Sequence, residues 1–201
     1  MVADFARSVI GSYLTPRRMM RDLLSRNLGI REIVLLVALA FLIEQALFLL
    51  VAGGRPEGLE PGLSHYLSAI IRTGVTFVAF AWMIFGLGRA FGGTADLMQC
   101  SVMLAWFSVV ANLLLPPALY GLMRIQSVSG GEQMTEEMAR AVQAPFAIVM
   151  MIAGAWLWLL ASYVTELHGF KSLMSVIAVM FGVLMVGAFL FAGLLGGMGA
   201  A

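Results

Sequence analysis

Long apolar stretches separated by short polar segments make up most of the chain. Five of these stretches are about 20 residues long, and they lie at about 33–53, 66–87, 97–119, 144–164 and 173–196. At a rise of 1.5 Å per residue, a helix of about 20 residues crosses the roughly 30 Å hydrocarbon core of a bilayer. The pattern therefore predicts an all-α polytopic membrane protein, built as a bundle of five transmembrane helices.

The composition supports this interpretation. Of the 201 residues, 61% are hydrophobic and 11% are charged, whereas soluble domains have about 45–50% and about 25%. A soluble chain of this size could not bury so much apolar surface, so we expect the lipid bilayer to be its surroundings. The pattern divides the chain into a basic segment, residues 1–32, and a five-span transmembrane domain, residues 33–201.

The positions of Lys and Arg predict the orientation in the membrane. The segment before Glu32 contains six of the twelve basic residues, namely Arg7, Arg17, Arg18, Arg21, Arg26 and Arg31. With this segment inside, Arg89 and Lys171 also lie inside, and three arginines lie in outer loops: Arg55, Arg124 and Arg140. Because basic residues concentrate in cytoplasmic loops, we expect a cytoplasmic amino terminus and, after five spans, an external carboxyl terminus. The preference for Arg over Lys is common in GC-rich bacterial genomes and suggests a bacterial inner membrane.

The segment "TPRRMMRDLLSRN" has the features of an amphipathic helix. Thr15 is a candidate N-cap and Pro16 suits the first helical position. A stripe of apolar residues at helical spacing, Met19, Met20, Leu23 and Leu24, is flanked by four arginines: Arg17, Arg18, Arg21 and Arg26. One interpretation is an interfacial helix whose arginines each gain about 1 kcal/mol from anionic headgroups. The other is a simple basic flank of the first span.

The stretch "FLIEQALFLL" places Glu44 and Gln45 inside the first apolar span. A single acid near the centre of a span costs about 3 kcal/mol, which the surrounding apolar residues outweigh. An acid within a membrane generally faces the bundle interior and has a partner. Arg72 lies at a similar depth in the second span, so the sequence predicts a Glu44–Arg72 ion pair that fixes the packing of two helices.

Two other interpretations of Glu44 remain open. In one of them, the Glu44 carboxyl group is protonated or is tolerated by the lipid. In the other it titrates within a proton or ion pathway, along a polar core formed with Gln45 and Asn112. Further along the third span, Pro116 and Pro117 remove backbone donors and disfavour helix before them, so we expect that span to bend or end there.

The residues that usually carry catalysis or bind metals are few. Cys100 is the only cysteine, and the two histidines, His65 and His168, fall on opposite sides of the membrane in the predicted topology. Nucleophile-elbow, phosphate-loop and dinucleotide-binding motifs are absent from the sequence. Basic residues concentrated at one membrane surface do not suggest nucleic-acid binding. We therefore expect a non-enzymatic protein with no metal and no cofactor.

The layout of the chain resembles bacterial members of the Yip family of small membrane proteins. The likeness rests on the basic segment "TPRRMMRDLLSRN", five spans, "FGG" after the second span and "ELHGF" between the last two. The resemblance implies a five-span bundle with a cytoplasmic amino terminus. In eukaryotic relatives it also implies binding to Rab-type GTPases or to other Yip proteins. The chain lacks the long amino-terminal region and the "DLYGP"-like motif of those relatives, so the GTPase function is not carried over.

These features predict a protein that acts through association, as a homo-oligomer or with other membrane proteins. The expected contact surface comprises the arginine-rich segment, the turn at Arg89 and the turn from Glu166 to Lys171. The alternative is a small transporter or channel component that uses Glu44 and Arg72, for which the sequence names no substrate.

Overall fold

The computed structural model describes residues 2–51, 63–128, 136–183 and 185. Regular structure in these residues is entirely helical, which confirms the predicted all-α class. The helices are α1 (Val2–Leu14), α2 (Pro16–Leu24), α3 (Ile30–Val51), α4 (Leu63–Ala90), α5 (Leu97–Asn112), α6 (Leu115–Val128), α7 (Glu136–His168) and α8, described over Leu173–Val183.

The described residues contain two or three candidate membrane spans, fewer than the predicted five. Helices α4 and α7 are each long and apolar enough to cross a bilayer, and α5 with α6 forms a third if this bent pair is one span. Helix α3 has 22 residues and is not among these candidates. The described part of α8 is shorter than a span. Residues 186–196 of the fifth predicted span, and the carboxyl terminus, lie outside the described residues.

Large apolar side chains cover the outer surface of the helices. Leu42 on α3, Ile71 on α4 and Met151 on α7 are each more than 60% exposed. Apolar surface of this extent on a helical bundle indicates contact with lipid rather than with water. The structure is therefore consistent with a membrane protein.

Helix α5 is the central element of the bundle. It packs against α3, α4 and α7. Nine of its sixteen residues are buried, and they are distributed around the whole helix rather than along one stripe. A helix that is apolar on all sides is expected to lie inside a larger bundle. Asp96 starts α5 with a capping box, because its carboxylate accepts the Gln99 N–H at 2.7 Å and its own N–H donates to the Gln99 side chain.

The chain bends by 58° between α5 and α6. Pro116 and Pro117 lie in the first turn of α6, where missing backbone donors cost little, and they cannot supply the N–H groups that would continue α5. The predicted bend is thus confirmed. The helices beyond it extend past the predicted apolar stretches, because α6 continues to Val128 and α7 begins at Glu136.

Two carbonyl groups at the end of α5 accept side-chain donors from other helices in addition to the backbone N–H groups of Leu113 and Leu114. The Val110 carbonyl accepts a hydrogen bond from the Tyr13 hydroxyl, and the Ala111 carbonyl accepts one from the Trp156 indole at 3.1 Å. Burial raises the pKa of Tyr13 to about 12, so its hydroxyl stays protonated and remains a donor. Side chains of α1 and α7 therefore add a second hydrogen bond to each of these carbonyls and hold both helices at the point where the central helix stops.

Helix α1 has no counterpart in the sequence prediction, and it packs against the middle of α5. The Trp106 indole donates to Ser12 Oγ at 2.9 Å, and Phe5 meets the Trp106 ring edge to face at 5.9 Å. The Ser12 hydroxyl in turn donates to the Ser8 carbonyl. These contacts hold the start of the chain against the bundle.

Helix α2 forms where it was predicted, with Pro16 at its start, but its apolar stripe faces protein. Met19, Met20 and Leu23 are buried in the main hydrophobic core, and α2 packs on α7. Thr15 precedes the helix without a side-chain capping bond. The stripe therefore contacts α7, which offers it an apolar surface within the same chain.

Substitution of Met20 tests this packing. Met20 is fully buried and Leu14 is 75% exposed, so we expect Met20→Ala to lower the free energy of unfolding by about 2–5 kcal/mol and Leu14→Ala to change it little. Denaturant titration of the protein in mild detergent, followed by tryptophan fluorescence, measures both. Equally small effects would place α2 away from the bundle.

Candidate functional site

The segment "FGG" ends helix α4. Gly92 has a positive φ of 80°, a conformation that glycine adopts without strain. The Gly93 N–H bonds to the Gly88 carbonyl at 2.7 Å, and the Gly92 N–H bonds to the Arg89 carbonyl at 3.1 Å. This pair of bonds is a Schellman motif, which satisfies the last carbonyls of the helix and turns the chain toward α5.

The segment "ELHGF" ends helix α7 in the same way. Gly169 has a φ of 68°. The Phe170 N–H bonds to the Thr165 carbonyl at 2.9 Å, and the Gly169 N–H bonds to the Glu166 carbonyl at 3.3 Å. A second Schellman motif therefore directs the chain from α7 toward α8.

The two helix ends meet at His168. Its imidazole is 2% exposed and packs directly on the backbone of Gly88 and Gly93, where a Cβ atom on either glycine would overlap the ring. Phe170 stacks on the other side, with ring centroids 5.4 Å apart. Neither ring nitrogen has a hydrogen-bond partner among the described residues. His168 thus joins α4 to α7 by shape and ring contact.

Helix α2 is joined to the same corner by an ion pair. Arg21 donates from both Nε and Nη2 to Glu166 Oε1, each at 2.8 Å. Because the Arg21 side chain is 72% exposed, the pair contributes at most about 1 kcal/mol, but it fixes the position of α2 on α7. Within the described residues, the surface at these helix ends is basic, and we call it the arginine face: Arg17, Arg18, Arg21, Arg26, Arg89 and Lys171.

The four arginines predicted to contact the membrane surface all lie on α2 or directly after it. Arg18, Arg21 and Arg26 are exposed, whereas Arg17 is half-buried. Arg89, on the last turn of α4, lies beside the Phe85 ring at 5.9 Å. The structure thus brings together three segments that are distant in sequence.

Glu44 and Arg72 line one cavity of about 450 Å³ between α3, α4 and α5. They do not form a salt bridge, as the described residues show ion pairs only elsewhere. Asn112 also lines this cavity and donates from Nδ2 to the Ala40 carbonyl at 2.8 Å. Gln45 is half-buried and is not among the lining residues.

In the described part of the chain, Glu44 and Arg72 form no salt bridge because their two helices pack against different neighbours. Helix α3 packs on α5 and α6, whereas α4 packs on α5 and α7. Helices α3 and α4 therefore lie on different parts of the central helix. The polar groups face a shared space, and a Glu44–Arg72 contact stays a prediction.

A second cavity, of about 690 Å³, lies between α4, α5, α7 and α8. Its wall is apolar apart from Lys171 and three serines, Ser108, Ser172 and Ser175. Both cavities share five lining residues, Phe80, Leu104, Phe107, Ser108 and Trp156. The two spaces therefore adjoin in the middle of the bundle.

Sequence reasoning missed the packing role of His168. In the topology predicted from the sequence, His168 lies on the opposite side of the membrane from His65 and has no assigned role. The glycine that follows His168 could have indicated a helix end, as could the glycine pair that follows α4. In the part of the chain that the structure describes, no cluster of three His, Cys, Asp or Glu side chains could hold a metal ion.

Comparison of the chain with protein-family models, with curated proteins and with solved structures gives no match. The class that the structure defines is an all-α protein with helices suited to a bilayer.

The glycine contact with His168 predicts a specific mutational coupling. A methyl group on Gly88 meets the buried imidazole, whereas one on Gly86 meets open space. We expect Gly88→Ala to lower the free energy of unfolding by about 1–3 kcal/mol through overpacking, and Gly86→Ala on the same helix to be neutral or stabilising. Thermal unfolding in detergent measures both.

The double variant Gly88→Ala with His168→Ala is the control for this contact. Removal of the ring makes room for the methyl group, so the double variant should lose less stability than the sum of its single changes. Strict additivity would show that the two residues do not meet.

Proposed function

We propose that the chain is a non-enzymatic integral membrane protein that associates with other proteins through its arginine face. The observation that carries this proposal is the convergence of α2, α4 and α7 at His168 and at the Arg21–Glu166 pair. Three segments that contribute basic side chains are held in one fixed arrangement. A preorganised surface loses less entropy on binding than flexible segments do.

We infer a five-span topology with the arginine face in the cytoplasm. Helix α3 is long enough to cross the bilayer, at about 33 Å, and beyond its first turn its only charged residue in the described part is Glu44. Helix α8 starts at Leu173, where the fifth apolar stretch of the sequence begins. The excess of arginine on this side supports the orientation.

The Yip-like character of the chain is part of this proposal. The two short motifs on which the resemblance rests, "FGG" and "ELHGF", form matching helix ends that contact each other through His168. This contact supports a shared structural role for the two motifs, which is to end α4 and α7 and to join the two helix ends. The proposal extends to association, and no partner is carried over from eukaryotic relatives.

Exposed apolar side chains on the same side support a protein partner. Phe91 is 59% exposed and follows Arg89, and Met174 is 74% exposed and follows Lys171 by three residues. Aromatic residues, methionine and arginine are enriched in protein interfaces. A partner with an acidic surface and an apolar pocket would complement this combination.

Site-specific crosslinking in native membranes tests the association. In a Cys100→Ala background, which removes the only cysteine, we introduce Arg18→Cys or Ala90→Cys, both at exposed positions of the arginine face. We expect each to give discrete higher-mass adducts with a bifunctional thiol reagent, because the partner lies within reach. An adduct of twice the chain mass identifies a second copy.

Two controls accompany this experiment. Met123→Cys on α6 places an exposed thiol away from the arginine face, and it should give no discrete adduct. Phe91→Ala combined with Ala90→Cys should reduce the yield, because it removes an apolar contact. Absence of adducts at both arginine-face positions, or equal yield at Met123, contradicts the proposal.

A second candidate function, transport of a proton or ion, is favoured by one observation. Glu44, Arg72 and Asn112 line the same cavity, together with Thr73 and Thr76. Polar and charged groups that face an internal space of a membrane protein are typical of an ion or proton pathway. The adjoining cavity continues this space past Phe107 and Trp156.

Substitution of Glu44 separates transport from packing. Glu44 is exposed to the cavity and forms no salt bridge within the described residues. The transport hypothesis therefore predicts that Glu44→Gln changes the free energy of unfolding by less than about 0.5 kcal/mol. It also predicts that this variant abolishes proton flux into liposomes that contain a pH-sensitive dye. The packing hypothesis predicts instead that Arg72→Ala lowers the free energy of unfolding and that Glu44→Gln combined with Arg72→Ala restores it. Wild-type liposomes without flux exclude proton transport.

A further inference from the structure

The larger cavity has the dimensions and lining of a ligand site. Its volume of about 690 Å³ falls within the range of about 300–1,000 Å³ that is usual for small-molecule pockets. Phe80, Phe107 and Trp156 form its inner part, and Leu160 and Met180 lie along its wall. Such a lining binds a hydrocarbon chain and offers little to a polar solute.

One end of the cavity carries its polar groups. Lys171 is the only charged residue in the lining, and it is exposed at the turn between α7 and α8. Ser172 and Ser175 lie beside it, and the Ser172 hydroxyl accepts the Ser175 N–H at 3.2 Å. That hydroxyl keeps its own proton available for an acceptor. The polar end therefore offers a positive charge and O–H donors, and it complements an anion.

A long apolar wall with a cationic group at one end favours an amphiphile with a negative head. An apolar helix, from a second copy of the chain or from a partner, would fill the apolar part but would bring no negative charge to Lys171. A soluble anion would leave the apolar part empty. An anionic phospholipid satisfies both parts, and the surrounding bilayer supplies it.

We propose that this cavity binds one acyl chain of an anionic phospholipid, whose phosphate group is held by Lys171, Ser172 and Ser175. The inference goes beyond the proposed association. Lys171 belongs to both surfaces, and the rest of the lipid site lies in the space between α4, α5, α7 and α8. Bound lipid fills the gap beside the central helix and links α8 to the rest of the bundle.

Native mass spectrometry of the full chain in detergent tests this site. The probes are phosphatidylglycerol and phosphatidylcholine with identical acyl chains. We expect saturable binding of one phosphatidylglycerol per chain and weaker binding of phosphatidylcholine. Lys171→Gln should weaken phosphatidylglycerol binding by about tenfold, because a charge-assisted hydrogen bond is lost. The matched control Arg18→Gln removes one charge from the arginine face away from the cavity and should leave binding unchanged.

A second pair of variants tests the apolar part. Ala153 lines the cavity, whereas Ala79 on α4 is exposed outside both cavities. We expect Ala153→Phe to displace the lipid and Ala79→Phe to leave it bound, with both variants folded by circular dichroism. The site is overturned if Ala153→Phe retains full binding, if the two lipids bind equally, or if Lys171→Gln and Arg18→Gln have the same effect. Loss of crosslinking at the arginine face with lipid binding intact would affect only the proposed association.

Discussion

Backbone pairing inside an apolar medium is the constraint on which this structure depends. A helix that stops within the bundle leaves carbonyl groups that no water can satisfy. The central helix α5 stops at Asn112, before two prolines. Its Val110 and Ala111 carbonyls accept backbone N–H groups of Leu113 and Leu114. They accept a second hydrogen bond from Tyr13 of α1 and from Trp156 of α7. The break therefore connects three helices, and it explains why the start of the chain lies against the core.

The opposite end of the bundle depends on glycine. Two Schellman motifs end α4 and α7, and the absence of side chains at Gly88 and Gly93 lets the His168 ring reach the backbone of α4. The ion pair of Arg21 with Glu166 adds α2 to this corner. A fixed basic surface follows from these contacts, and so does the shape of the apolar cavity, whose wall includes Gly88 and Phe170. The proposed partner surface and the proposed lipid site thus lie on neighbouring parts of one packed corner.

Several elements could be predicted because their causes are local. Pro116 and Pro117 interrupt a helix wherever they occur, and Pro16 suits a helix start, so the bend and the start of α2 followed directly from the sequence. The surroundings of the apolar stripe on α2 could not be predicted, because lipid and a protein core attract Met20 equally well. Helix α1 escaped prediction for a similar reason: its partners, Trp106 and Val110, lie more than 90 residues away.

The sequence by itself determined the helical class and the affinity for a bilayer, because both depend on composition and on the length of apolar runs. It also supplied Glu44 and Arg72 as charged residues in apolar surroundings. Only the tertiary structure decided that these two side chains share a cavity with Asn112, and that His168 meets Gly88. The physical reason is that such contacts depend on which helices become neighbours. That choice arises from the summed packing of whole helix surfaces around α5, which no local pattern records.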